Sequence, residues 1–171
     1  MIFNLFRKPT VTPDAVDETY RSIVAQSRQV RFYADWGVAD TVTGRFDMVS
    51  LHLALYLHRL KNEDSARAFT QALVEYFFKD MDSSVRELGV TDLGVPRKIK
   101  AMGNMFYGLV SVLDPALDSG AAAEVETVLV RNVYGAPHPG AAMLAVYLLD
   151  ESKRLAGIPA SELVPAAGVA A

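Results

Sequence analysis

Hydrophobic residues recur along this chain at helical spacing, and prolines, glycines and capping residues interrupt them at intervals. The first helix is predicted to start at Pro13, with Thr12 as its N-cap, and to fade near Gln29. A connector over residues 31–41 follows. The remaining helices are predicted over residues 43–61, 65–88, 96–113 and 121–134, and then from the Gly-Ala-Pro-His-Pro-Gly turn to residue 156.

The pattern predicts an all-α protein, a single compact helical domain of about six helices. We place the helical domain at residues 13–157, between an N-terminal extension, residues 1–12, and a flexible C-terminal tail, residues 158–171. A chain of 171 residues is long enough for one domain with a sizeable core.

The helix predicted over residues 43–61 is apolar on two faces. One stripe, the predicted core face, contains Phe46, Val49, Leu53, Tyr56, Leu57 and Leu60. The opposite stripe contains Met48, Leu51 and Leu55. Such a helix is either central to the fold or offers its second face to a partner.

The composition of the chain excludes several classes of function. The chain has no cysteine, which excludes disulfides, thiolate catalysis and Cys-based zinc sites. Its net charge of -3 is spread along the chain, whereas DNA-binding domains carry a basic stripe, so we expect no DNA partner. His52, His58 and His138 lack metal-ligand spacing, and we expect neither a metal nor a cofactor.

The first residues predict a cytoplasmic protein. They lack the apolar run of a secretory signal, and the longest uncharged run, residues 132–149, is broken by prolines and glycines and predicts no membrane span. Ile2, Phe3, Leu5 and Phe6 precede two basic residues, which suits a short interfacial foot, a frayed terminus or a segment docked on the body.

Two charged features need partners. Asp80 falls in the middle of an apolar stripe, where we expect its carboxylate to bind Arg28, Arg45 or backbone groups, or else to act as an acid or docking anchor. The basic cluster of Arg97, Lys98 and Lys100 opposes the dipole of its own helix. It is either a solvated face or a contact for an acidic surface, lipid headgroups or ribosomal RNA.

Two ordered motifs occur along the chain. The first is Gly37-Val38-Ala39-Asp40-Thr41 with Gly44-Arg45-Phe46-Asp47-Met48, and the second runs from Phe78-Lys79-Asp80-Met81-Asp82 through Asp92-Leu93-Gly94-Val95-Pro96 to Phe106-Tyr107-Gly108. Together they resemble the ubiquinol-cytochrome c chaperone family, in its bacterial form, over about residues 18–150.

The resemblance implies a non-enzymatic, all-α assembly chaperone that holds newly made cytochrome b during biogenesis of ubiquinol-cytochrome c reductase, respiratory complex III. Relatives in mitochondria pair with a small partner protein and contact the ribosome, so both are candidate partners by resemblance. Because this client is inserted into the membrane, the resemblance also implies that the chaperone is cytoplasmic and works at the inner face of the membrane.

The protein-binding residues suggested by this resemblance combine its polar motif residues with amphipathic helix faces. They are Arg45, Asp47, Met48, Leu51, Leu55, Asp80, Asp82, Arg86, Lys98, Lys100, Met102, Phe106 and Tyr107. The polar members could equally form internal salt bridges that set helix register.

Two rival functions stay open. One is a peripheral membrane or lipid-binding protein, and the other is a small helical enzyme that uses Asp80 with His52 or Tyr107.

Overall fold

The computed structural model describes residues 11–164, which are helical and contain no strand. The expectations for the N-terminal extension up to residue 10, including its apolar foot, and for residues 165–171 lie outside the described residues. The α-helices are α1 (Pro13–Ser27), α2 (Val30–Ala34), α3 (Val42–Leu60), α4 (Arg67–Glu87), α5 (Val95–Ser119), α6 (Ala122–Leu129), α7 (Pro139–Ala156) and α8 (Ala160–Leu163).

Helix starts follow local capping chemistry. The side chain of Thr12 accepts a hydrogen bond from the Ala15 amide at 3.3 Å, as predicted, and Thr41 caps α3 by accepting from the Gly44 amide at 3.1 Å. A 3₁₀ turn (Asp64–Ala66) leads into α4, and a π-helical turn (Val130–Tyr134) extends α6. The all-α class and the six longer helices are therefore confirmed.

Helix α3 is the centre of the fold. It packs against α1, α4, α5 and α7, and the π-helical turn also touches it. Both of its predicted apolar stripes are consequently covered by neighbours. Met102 of α5 lines the same cleft as Phe46 of α3. Twelve residues further along each helix, Asp114 of α5 binds His58 of α3, so the two helices run in the same direction.

The segment predicted as a connector contains a helix. α2 forms inside it because Phe32, which is fully buried, packs its ring 5.4 Å from that of Trp36 and 5.0 Å from that of Tyr147. The Arg31 guanidinium lies over the same three rings. A tertiary aromatic cluster therefore stabilises a helix too short to be stable alone.

The core extends into the segment predicted as a tail. Leu163 of α8 and the adjacent Val164 are 7% and 8% exposed and belong to the same hydrophobic core as α3. Arg59 of α3 donates hydrogen bonds to the carbonyl oxygens of Leu155 and Ile158, at 3.1 and 2.9 Å. Residues 158–164 thus contact the helical body.

Candidate functional site

A cleft of about 410 Å³ opens where α1, α3 and α4 meet, with α5 below it. Its floor is apolar and is built from buried or half-buried side chains that recur one helical turn apart: Phe46 and Val49 of α3, Met81 and Val85 of α4, Val24 of α1 and Met102 of α5. Val42 and Leu88 stand at its edge, 53% and 54% exposed. The cleft therefore presents apolar surface to solvent.

Two shallower depressions continue this cleft along α1. One, of about 530 Å³, is lined by Arg28 and Arg45 together with Val30 and Tyr33, and the other, of about 370 Å³, adjoins Arg28 and Asp80. Arg28 borders all three. We call this continuous surface the α1–α4 groove.

Asp80 lies on the wall of the groove, and its partner is a tyrosine. The Tyr20 hydroxyl donates to the Asp80 carboxylate at 2.8 Å, and burial, together with this contact, raises the pKa of Tyr20 above its usual range, so the hydroxyl keeps its proton. The expectation of an arginine partner is wrong for the described residues, because Arg28 and Arg45 line the groove without forming a salt bridge to Asp80.

Five other charged residues of the motifs pair with one another at the surface. Arg45, on the groove edge, binds Asp40 at 2.7 Å and lowers the pKa of that carboxyl. Arg86 binds Asp82 and Asp92, each at 2.7 Å, and so ties the end of α4 to the following loop. These exposed pairs contribute little to stability individually.

Asp47, by contrast, is a charged motif residue that is buried. Its side chain is only 7% exposed, and burial raises its pKa to about 7, with no hydrogen bond from the described residues to offset the desolvation. It does not line the groove. Asp47 is therefore largely buried and lies outside the groove.

The second stripe of α3 is also interior. Met48 and Leu51 are fully buried and Leu55 is 1% exposed, because α5, α7 and the π-helical turn cover this side of the helix. Of the two interpretations of a helix with two apolar faces, the structure supports the one in which the helix is central to the fold. In this structure these three side chains do not reach the surface.

The predicted residues of α5 separate along that helix. Met102 reaches the groove, whereas Phe106 is buried with its ring 5.1 Å from that of Phe77. Tyr107 is 58% exposed on the outer side, and Lys98 and Lys100 are exposed at the start of the helix. Of the thirteen predicted residues, the groove brings together Arg45, Asp80 and Met102.

Sequence reasoning missed the groove residues Val42 and Val85, and it named Arg28 only as a candidate partner of Asp80. Val42 continues the core-face stripe of α3, four residues before Phe46, but it precedes the helix predicted from residue 43. A signal for Val85 did exist, since it follows Met81 by four residues and extends the stripe of α4 towards Leu88.

His52 and Asp80, two residues of the enzyme hypothesis, bind separate partners. His52 is buried, its Nδ1 lies 2.7 Å from the Met48 carbonyl oxygen and its Nε2 lies 2.9 Å from the Tyr147 hydroxyl, and burial lowers its pKa. Because the carbonyl can only accept, Nδ1 carries the proton and Nε2 accepts from Tyr147. Its hydrogen bonds are thus used within the core, whereas Asp80 binds Tyr20.

One cluster has the composition of a metal site. Ligand atoms of His58, Asp114 and Asp118 lie within 4.8 Å of one another. The Lys61 ammonium already binds both carboxylates, at 3.1 Å to Asp114 and 2.6 Å to Asp118. The cluster therefore works as an ion-pair link between α3 and α5.

Among the described residues, no helix is long and apolar enough to cross a membrane.

Comparisons with known proteins place this architecture. Residues 34–168 match the family model described as "Ubiquinol-cytochrome C chaperone". The chain is also similar to the crystal structure of the Cbp3 homolog from Brucella abortus, with 41% sequence identity, a TM-score of 0.82, and coverage of 96% of this chain and 93% of that one. A search of curated proteins found no match. Since the matched region includes all but the start of the helical domain, this chain belongs to the ubiquinol-cytochrome C chaperone family.

Proposed function

We propose that this protein is a non-enzymatic assembly chaperone that holds newly made cytochrome b in the α1–α4 groove during assembly of complex III. The family supports a role in that assembly. The observation that carries the choice of site is the open apolar floor of the groove, which the described helices leave uncovered.

The chemistry of the groove suits an apolar or amphipathic segment. Val30, Val42 and Leu88 expose 76%, 53% and 54% of their surface around it, and covering such side chains stabilises a complex by roughly 1–2 kcal/mol each. Met81 and Met102 on the floor are flexible and adapt to irregular surfaces. A helix of the client lying in the groove fits this arrangement.

Charged groups border the apolar floor on opposite sides. Arg28, directly after α1, and Arg45 of α3, which is paired with Asp40, supply positive charge, and Asp80 and Glu87 supply negative charge from α4. Charges of this kind set the orientation of a bound segment more than its affinity. The client is a membrane protein, so we place the chaperone at the inner face of the cytoplasmic membrane while it acts.

The test is a pull-down of the tagged full-length chain from its native membranes and cytosol, with co-purifying proteins identified by mass spectrometry. We expect cytochrome b without mature complex III. Deletion of the gene should lower complex III and the haem absorbance of cytochrome b. Recovery of no complex III subunit would contradict the proposed function.

The groove itself is tested by a double variant, Val42→Asp with Leu88→Asp. Both side chains are about half exposed, so we expect stability to change by only about 0.5 kcal/mol each. Recovery of cytochrome b should fall by about tenfold or more, because two apolar contacts are replaced by charges. The matched control is Met143→Asp with Val146→Asp, on exposed positions of α7. Equal losses in both variants would rule out the groove as the binding site.

A further inference from the structure

The loop between α4 and α5, residues 88–94, carries an apolar side chain that nothing described covers. Leu93 is 94% exposed, more than any other large hydrophobic side chain among the described residues, and Leu88 at the other end of the loop is 54% exposed. Single exposed leucines are common. Two on one short loop, next to a basic cluster, need a joint explanation.

The loop is held in a defined conformation. Gly89 ends α4 with a φ of +77°, and the Gly94 amide donates to the Thr91 carbonyl at 2.7 Å. Arg86 binds Asp92 at 2.7 Å and so fixes the loop to α4. Leu93 is therefore presented on an ordered turn.

Three cations follow this turn directly. Arg97, Lys98 and Lys100 are exposed in the first turns of α5, and no acidic residue occurs between Asp92 and Asp114. None of the three forms a salt bridge with the rest of the described chain, whereas Asp92 is paired with Arg86. They also oppose the positive end of the helix dipole, so helix stability does not account for them.

We infer that residues 88–100 form a membrane-docking surface, in which Leu93 enters the interfacial region of the bilayer and Arg97, Lys98 and Lys100 bind anionic phospholipid headgroups. An apolar tip flanked by cations matches the layering of an anionic bilayer, where a negative headgroup plane covers apolar chains. RNA or an acidic protein would account for the cations and leave Leu93 in water.

Docking here would also orient the groove. Leu88 belongs both to the docking loop and to the edge of the α1–α4 groove, so the groove opens beside the bilayer when the loop is bound. A segment leaving the membrane could then enter the groove without crossing open solvent. Only this consequence rests on the proposed function, because lipid binding itself needs no client.

The test is co-sedimentation of the purified full-length chain with vesicles of phosphatidylglycerol and phosphatidylcholine, against phosphatidylcholine alone. We expect binding to the anionic vesicles that weakens between 50 and 300 mM salt, on the order of the change in Debye screening. Leu93→Ser should lower the partition coefficient about fivefold or more, through loss of apolar insertion. Lys98→Gln with Lys100→Gln should lower it roughly 25-fold, since each cation near an anionic surface contributes about fivefold.

Control variants change one apolar residue and one lysine elsewhere on the surface. Met143→Ser and Lys153→Gln alter exposed positions of α7, and both should bind as the unaltered chain does. Circular dichroism of each variant verifies that the helices form. Phe3→Ser with Phe6→Ser tests the N-terminal segment, and Leu93-dependent binding should persist in it.

Three results would overturn the inference. They are equal binding to neutral and anionic vesicles, unchanged binding of Leu93→Ser, and complete loss of binding in the N-terminal variant. If the chain binds polyuridylate tightly, Leu93→Ser leaves that binding unchanged and no vesicles are bound, the cations would be assigned to RNA. Failure to bind vesicles while cytochrome b is still recovered would remove the docking surface and leave the proposed function intact.

Discussion

At the scale of single residues, burial controls the properties of Asp47. The folded protein raises its pKa from an ordinary 3.8 to about 7 because the carboxyl is removed from water without a compensating hydrogen bond. A carboxyl whose pKa is raised by folding destabilises the folded state once it is ionised in both the folded and the unfolded chain. The free energy of unfolding therefore falls as the pH rises from about 4 to 7, and the penalty is complete above 7.

Asp47→Asn removes that charge. Relative to the unaltered chain, we expect the free energy of unfolding of the variant to be about 2–4 kcal/mol higher at pH 8 than at pH 4.5, measured by urea denaturation at both values. A change in the free energy of unfolding that is the same at both pH values does not affect this test, because the buried amide of the variant also lacks hydrogen-bond partners. The control Asp150→Asn, at a 70% exposed side chain, should change stability by no more than about 0.5 kcal/mol. A gain that does not grow with pH would show that Asp47 is solvated.

The hydroxyl of Tyr20 offers a second residue-scale test. Tyr20→Phe keeps the ring that packs 4.9 Å from that of Tyr76 and removes only the donor to Asp80. We expect a loss of about 1 kcal/mol in denaturant unfolding, and restoration of most of it by the double variant Tyr20→Phe with Asp80→Leu. Restoration of this kind would establish the coupling; a double variant no more stable than Tyr20→Phe would deny it.

At the scale of elements, close backbone contacts position the start of α3. A β-carbon at Gly44 would overlap the Ala39 carbonyl oxygen, so the loop before α3 can approach only a glycine. Gly44→Ala should cost about 3 kcal/mol, because a backbone atom cannot move aside as a side chain can. Thermal or urea unfolding measures the loss.

Gly108 provides the opposite case on α5. A β-carbon there meets nothing within 4 Å, and the position is exposed in the helix interior. Gly108→Ala should therefore stabilise the protein by about 0.5–1 kcal/mol through helix propensity alone. A loss at Gly108, or no loss at Gly44, would contradict this account of the two positions.

At the scale of the whole molecule, the last described residues close the fold. Leu163 and Val164 are buried, and the Ile158 carbonyl accepts from Arg59 of the central helix. Truncation after residue 157 should lower the free energy of unfolding by about 2–4 kcal/mol, the loss expected for two buried side chains and one hydrogen bond to a charged donor. A second truncation, after residue 164, separates this contribution from that of the final seven residues. Equal stability of both truncated chains would place the domain boundary at residue 157.

Local features of the sequence determined the helical class, the cap at Thr12, and the family. These depend on neighbours a few residues away: the spacing of apolar side chains, a hydroxyl before the first turn, and motifs read in order. None requires knowledge of how the helices pack.

Tertiary structure alone decided which surfaces are available. Periodicity shows that α3 has two apolar faces, but only the packing of α1, α4, α5 and α7 shows that both are covered. The partner of Asp80 lies sixty residues away in sequence, and the groove is assembled from residues 20–102. Exposure and long-range pairing are properties of the assembled helices, since each depends on which other segments occupy the space around a side chain.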